Sequence, residues 1–439
     1  MTEPNNRTAS SEDAVRRRGN AAFQARYLTR DIPAGIITGA MAIPLSVGIA
    51  MMSDYPIKVG LATVAFAGFI GWFFAWFRPG NYIGSPGIAA GLAPILAMGV
   101  ATFGIENMAF LIFLTAAFQA LIWKFDWQRY ILMAVPTYLV EGLLAGIGLK
   151  IFLNFLGFTY ELPEELASDS FMTAERMSVI ALSLVGAGLF LWLFGRFKDS
   201  KPAIPYFALI VFGVVASQLV PVSMLHVEDV PLELGLPIPD FETWSLWIYA
   251  IGFALMLAVI DVIEQVMSNS AIEKIDPLGR KTNSNNSLLA IWVANMGSSF
   301  FGGMTNLDGL AKSTTNKLAG AYTKFSVLVI ALVVLFFVLN VAYLEYLPKF
   351  ALGIIMMFVG WKMIMGLLHV AHHGPYALLL ATFCGLLVYK VGIFEGLLIA
   401  LAVHAVINYL IFRHVESKPT NMIVRDYFAR FGKGEPETD

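Results

Sequence analysis

The chain has 439 residues, 58% hydrophobic and only 14% charged, with a mean hydropathy of +0.70. Soluble chains carry about 25% charged residues, so the composition excludes a string of soluble domains and points to a polytopic membrane protein. A net charge of −2 gives no footing for nucleic acid as a partner. The lone Cys384 excludes an internal disulfide or a zinc cluster and reads as a small buried hydrophobe.

Residues 1–30 are polar and carry Arg7, Arg16, Arg17, Arg18, Arg26 and Arg30 with no apolar run before a cleavage site. They read as a cytoplasmic arm and not as a signal peptide. Fourteen membrane spans follow: 31–53, 57–77, 86–101, 105–123, 130–156, 173–195, 203–224, 246–270, 286–301, 308–320, 323–344, 350–368, 375–390 and 393–412. With the N-terminus inside, Arg78, Lys124, Arg129, Arg196, Lys198, Lys201, Lys274, Arg280, Lys281 and Lys324 fall on cytoplasmic loops, and the stretches 161–169 and 226–242 outside are acidic. That asymmetry satisfies the positive-inside rule and places both termini in the cytoplasm, in an inner (plasma) membrane. Trp72, Trp76, Trp123 and Trp127 beside basic residues read as interfacial belts. The tail 413–439 is too short for a folded domain.

The halves repeat. Each has seven spans, and the third of each (86–101 and 308–320) is short and preceded by glycine. Seven is odd, so the second half enters from the opposite side, and paired interrupted segments of this kind mark a mid-membrane binding site. The fold expected is an all-α polytopic bundle with a 7+7 inverted repeat.

Several stretches carry a resemblance. DIPAGIITGAMAIPLSVGIAMM (31–52), SPGIAAGLAPIL (85–96), VPTYLVEGLLAGIGL (135–149) and NSNNSLLAIWVANMGSSFFGGMTNLDGLAKSTTN (283–316) resemble the first, third, fifth and ninth-to-tenth spans of the sulfate permease (SulP) family. Within it, the chain is most similar to the bacterial bicarbonate transporter branch, over roughly 31–412. It departs in lacking room for a C-terminal STAS domain, in Thr305 where the family has Pro, in Lys312 where Arg is usual, in Asp308 where small residues are usual, and in Leu45 where some relatives place an acid. The resemblance implies a uracil-permease-like arrangement with a core domain (31–124 and 246–345) moving against a gate domain (130–224 and 350–412). It also implies a homodimer and a small solute held between the third and tenth spans. Facing helix N-termini, each with about half a positive charge, suit an anion there. The substrate-site residues expected are Ser46, Gly87, Ala89, Ala90, Gly91, Asp261, Gln265, Asp308, Gly309, Leu310 and Lys312.

An ionisable side chain at mid-span costs roughly 2.5–3.5 kcal/mol, so each needs a reason. Asp261, Glu264, Gln265 and Ser268 form one polar stripe on the eighth span. By resemblance Asp261 matches the carboxylate that holds sodium in the bicarbonate branch. Asp261, Gln265 and Asp308 are therefore the expected Na⁺ ligands, with Na⁺ as coupling ion and no other cofactor. Asp308 and Lys312, four apart, are expected to pair on one helix face, or Asp308 to cap the tenth span. Lys312 is the cation for an anionic substrate, and Lys317 snorkels. Glu264 reads as a site group or a snorkelling one. Glu141 on the fifth span reads as a gate group or a packed one; Lys150, nine residues on, is not its helical neighbour. His404 reads as core, and His369, His372 and His373 as a solvated turn. The chain has no nucleotide loop G-x-x-x-x-G-K-[ST] and no nucleophile elbow, so neither a pump nor an enzyme is expected.

The function expected is secondary active transport of a small anion (bicarbonate, sulfate or a small carboxylate) coupled to Na⁺ or H⁺. The alternative, from the crowd of acids, is a small cation or zwitterion such as a quaternary amine held by carboxylates and an aromatic face.

Overall fold

The computed structural model describes residues 20–407, apart from 135, 167–172 and 242. The arm before residue 20, the tail after 407 and part of the acidic stretch 161–169 lie outside the described residues. Among the described residues there are fourteen α-helices of nine residues or more. The first repeat holds α1 (Leu28–Met52), α2 (Ile57–Phe74), strand β1 (Pro86–Gly87), α3 (Ala93–Phe103), α4 (Ile105–Lys124), α5 (Thr137–Leu156), α6 (Ala174–Phe197) and α7 (Ile204–Ala216). The second holds α8 (Trp244–Ile275), α9 (Ser284–Ser299), strand β2 (Leu307–Asp308), α10 (Leu310–Leu318), α11 (Phe325–Leu339), α12 (Lys349–Ile364), α13 (Pro375–Lys390) and α14 (Ile393–Ala405). Short helices Gln128–Ala134 and Leu367–Val370 complete the chain.

Seven of these helices are long and apolar enough to cross a membrane unaided, and five shorter ones are apolar. The polar exceptions, α9 and α10, are buried by their neighbours. In α10, LAKSTTNKL, the residues Lys312, Ser313, Thr315 and Asn316 all face protein. Such a segment survives at membrane depth only where protein satisfies its polar groups.

The two interrupted segments differ from continuous short spans. β1 and β2 pair antiparallel, Pro86 opposite Asp308 and Gly87 opposite Leu307. The helices begin later than the hydropathy pattern predicts. Pro94 lies in the first turn of α3, where its missing N–H costs nothing. Gly309 is extended (φ −75°, ψ 119°), which delays α10 to Leu310. The strands exchange the hydrogen bonds that each would otherwise leave unmade in the bilayer.

Packing sorts the helices. Helix α11 lies along α1 and α2, and α4 along α8 and α9; α5 lies along α12 and α13, α6 beside α7, and α13 beside α14. The two sets meet where α1 touches α12 and α3 touches α5. Glycines allow close approach within the second set. A Cβ on Gly142 would lie 2.2 Å from the Ala381 carbonyl oxygen, and one on Gly148 2.5 Å from that of Gly360. Small residues of this kind let helix backbones touch in a medium that gives helices no hydrophobic reason to associate.

Candidate functional site

The ladder β1–β2 sits in a buried polar cluster. Ser85 O accepts from Gly309 N at 3.0 Å, and the Ser313 hydroxyl accepts from Ser85 N at 3.0 Å. Gln265, on α8, closes a two-bond ring with Asp308: its Oε1 accepts from Asp308 N (2.8 Å) and its Nε2 donates to Asp308 Oδ2 (2.9 Å). Asn81 Nδ2 donates to the same carboxylate oxygen at 2.8 Å. The other oxygen, Oδ1, faces the Lys324 ammonium at 3.7 Å, and that ammonium also donates to Gly84 O.

This corrects two expectations. Asp308 does not share a helix face with Lys312, because it lies in β2 before α10 begins, and it does not cap α10, because Gly309 is the N-cap residue and the Asp308 carboxylate accepts from Gln265 and Asn81. Its ion-pair partner is Lys324, which stands in the turn just before α11 and is buried in this cluster. Arg280 is likewise buried, held by Asp276 and by the Tyr322 carbonyl.

Lys312 is 2% exposed and donates a long bond, 3.4 Å, to Pro86 O. Its ammonium fills the place where a side chain at Gly87 would stand: a Cβ there would lie 2.0 Å from Nζ. Gly87 is therefore a requirement of Lys312. At the α10 N-terminus Leu310 is exposed and Gly309 half-buried; Gly87, Ala89 and Gly91 are buried and Ala90 half-buried along the segment before α3. Ser46 is buried on α1.

A second buried set surrounds Asp261. Its Oδ2 accepts from Gln119 Nε2 on α4 (2.6 Å) and from Asn295 Nδ2 on α9 (3.2 Å). Asn295 Oδ1 accepts from Asn306 N at 2.8 Å and from the Asn306 side-chain amide. Asp261 Oδ1, Thr305 Oγ1 and Asn306 Oδ1 are buried and have no hydrogen-bond partner. Buried, unsatisfied oxygens of this kind are the donor type that a hard cation selects. A single ligand set made of Asp261, Gln265 and Asp308 does not match these bonds: both ends of the Gln265 amide are used by Asp308, while Asp261 bonds to Gln119 and Asn295. No group of three His, Cys, Asp or Glu side chains is placed for a metal among the described residues.

Glu264 belongs to neither set. It is buried, and a Cβ on Gly91 would stand 2.0 Å from its Oε1 and 3.1 Å from Leu144 of α5. Its carboxylate thus lies where α3, α5 and α8 meet.

The remaining polar residues are placed as follows. His404 is buried between Tyr138 and Tyr376, whose hydroxyls lie 2.9 and 3.1 Å from its Nδ1. Glu141 is half-buried against Gly366, and Lys150 and Lys317 are half-buried. His369 and His372 are exposed and His373 half-buried. Cys384 is buried. Trp76 and Trp127 are exposed, Trp72 and Trp123 less so.

Sequence reasoning missed Gln119, Asn295, Asn306, Asn81 and Asp31. The last is fully buried and accepts from Tyr322 N, Thr323 N and the Thr323 hydroxyl. For Gln119 and Asn295 the signal was an amide inside an apolar run, as in FLTAAFQALIW; Asn81, Asn306 and Asp31 stand in polar or glycine-rich stretches that carry no such signal.

Comparison with known proteins bears on the family and the fold. The family model described as the sulfate permease family matches residues 28–383. The chain is 28% identical over 399 residues to "Putative sulfate transporter YvdB" of Bacillus subtilis (strain 168), covering 86% of this chain and 74% of that protein. It is 23% identical over 355 residues to YbaR of the same organism, which bears the same description, covering 77% and 69%. Among solved structures, it matches the transmembrane domain of the cyanobacterium bicarbonate transporter BicA with a TM-score of 0.68 at 20% identity, over 87% of this chain and 98% of that one. The murine anion transporter Slc26a9, in its inward-facing state, matches with a TM-score of 0.70 at 15% identity, over 92% and 72%. The fold is the 7+7 inverted repeat of these transmembrane domains. A short antiparallel ladder at the repeat junction, buried cations on both sides of it and a match across most of the chain lead to one conclusion: the protein belongs to the sulfate permease family of transporters.

Proposed function

We propose that the protein is a secondary active transporter of a small anion, with bicarbonate, sulfate and small carboxylates as the substrate class, coupled to Na⁺ or H⁺. Family membership supports anion transport in general. The observation that supports this solute site is the Lys312 ammonium, buried at Gly87 beside the N-terminus of α10, where the helix adds partial positive charge. Lys324, 3.7 Å from Asp308, offsets part of the negative charge that Asp308 brings near it.

Coupling rests on Asp261. A buried carboxylate with one oxygen unpartnered is costly unless a cation or a proton joins it. Na⁺, as co-substrate, would take Asp261 Oδ1 with the amide and hydroxyl oxygens of Asn306 and Thr305. In the proposed movement, α1–α4 with α8–α11 slide as an elevator past α5–α7 with α12–α14, in a homodimer of the inner membrane with both termini cytoplasmic. The boundary at Gly91, Glu264 and Leu144 then lies on the sliding surface.

A second reading, transport of an amine or zwitterion, is favoured by Glu264. Its carboxylate has no hydrogen-bond or ion-pair partner among the described residues and faces α3. With Asp261 it outnumbers Lys312. Uptake into proteoliposomes, with Na⁺ and pH gradients imposed separately, tests both. Accumulation of a labelled anion driven by either gradient and inhibited by other anions supports the first reading. Inhibition by amines alone supports the second.

A further inference from the structure

A cavity of ≈ 430 Å³ opens away from the solute site, where α6 and α12 end, within the range of small-molecule sites. Phe358, Trp361, Lys362, Leu368, His369 and His372 line it, and Phe194 forms one wall. No acidic side chain is among the lining residues. Glu141 packs against Gly366, outside the lining.

Lys362 has no carboxylate partner among the described residues. Its ammonium instead stands 5.4 Å from the Phe194 ring centroid and 5.9 Å from that of Phe358, two aromatic faces that hold a cation in place without neutralising it. Trp361 and Leu368 beside it are about half exposed, at 49% and 58%, on the outer surface of the helices. The following residues of the α6 end, Arg196 and Lys198, put this cavity at the end of the bundle that the positive-inside rule assigns to the cytoplasm. An exposed lysine and two exposed histidines beside apolar aromatic and leucine walls, at that end of the bundle, fit one kind of occupant.

We propose that the cavity binds an anionic phospholipid of the cytoplasmic leaflet. The lipid phosphate sits on Lys362, His369 and His372, and an acyl chain runs along Trp361 and Leu368. Basic pockets between helices on that side recognise anionic headgroups, and the leaflet supplies them. A bound lipid would join the end of α6 to α12, and α12 packs on α5.

Native mass spectrometry of the full chain in mild detergent, titrated with phosphatidylglycerol and with phosphatidylcholine, tests the proposal. Wild type is expected to retain phosphatidylglycerol about tenfold better than phosphatidylcholine. Lys362→Glu should bring the two to parity, and the pair His369→Gln with His372→Gln should lower the preference part of the way. Lys198→Glu, an exposed lysine at the same end, should leave it unchanged. Inorganic phosphate at millimolar level should not displace the lipid. Where Lys362→Glu fails to fold, Lys362→Gln carries the same expectation. Equal retention of both lipids by wild type, full preference in the Lys362 variant, equal loss in Lys198→Glu or displacement by free phosphate would each overturn it.

Discussion

The Asp308 carboxylate pairs with the Lys324 ammonium, sixteen residues on, and not with Lys312, four residues on. Both partners are buried. Breaking a buried pair leaves an uncompensated charge and costs about 3–5 kcal/mol. Lys324→Met should therefore lower the thermal unfolding temperature in detergent sharply. Asp308→Asn/Lys324→Met, which leaves neither charge, should recover much of it. A double variant as unstable as the single one would show that the two residues are not energetically paired.

Asp261→Asn keeps the shape of the carboxylate and removes its charge. It should abolish cation-driven accumulation in proteoliposomes while the protein still inserts and elutes as wild type. Gln119→Leu, which removes the 2.6 Å donor to Asp261, should weaken coupling without abolishing it. Transport by Asp261→Asn at the wild-type rate, with unchanged Na⁺ and pH dependence, would sink the coupling proposal.

Lys312→Ala should raise the KM for an anionic substrate roughly tenfold or more, the scale of one charge-assisted hydrogen bond of about 1.5–3 kcal/mol. Gly87→Ala should act alike, since its methyl group would occupy the ammonium's place. Tighter binding in Lys312→Ala would mean that the site prefers cations, and the amine reading would replace the anion one.

Gly142→Ala should cost folding yield, because the added methyl meets the Ala381 carbonyl and neither backbone can yield. Overpacking of this type costs about 1–3 kcal/mol. Gly188→Ala is the control: nothing lies within 4 Å of the added atom. Similar yields for the two variants would remove close approach as the reason for Gly142.

The order of the helices was legible because apolar length and loop charge are set by the bilayer, which acts on every span alike. The ladder was legible as an interruption and not as strands. Two-residue strands leave no alternating pattern to read, and only the pairing of Pro86 with Asp308 reveals them. Asp261 stood out as a charge in an apolar run, and Lys312 by its place in the short tenth span. The groups around the site did not, since Gln119 lies 142 residues from Asp261 and Asn81 lies 227 from Asp308. Helical spacing rules act within about four residues, which is why they matched Asp308 to Lys312 and overlooked Lys324.

Each repeat supplies one strand of the ladder, so neither half of the chain alone would hold the whole of the proposed solute site. Between α7 and α8 the chain crosses in a strap whose residues bond to distant elements, Leu225 N to Leu347 O and Gly235 N to Phe300 O. A chain severed in that strap would yield two seven-helix fragments. Each would expose a lone strand and a broken helix to lipid until it met the other. Binding competence in such a split protein would then depend on fragment concentration, making solute recognition a property of assembly and not of either piece.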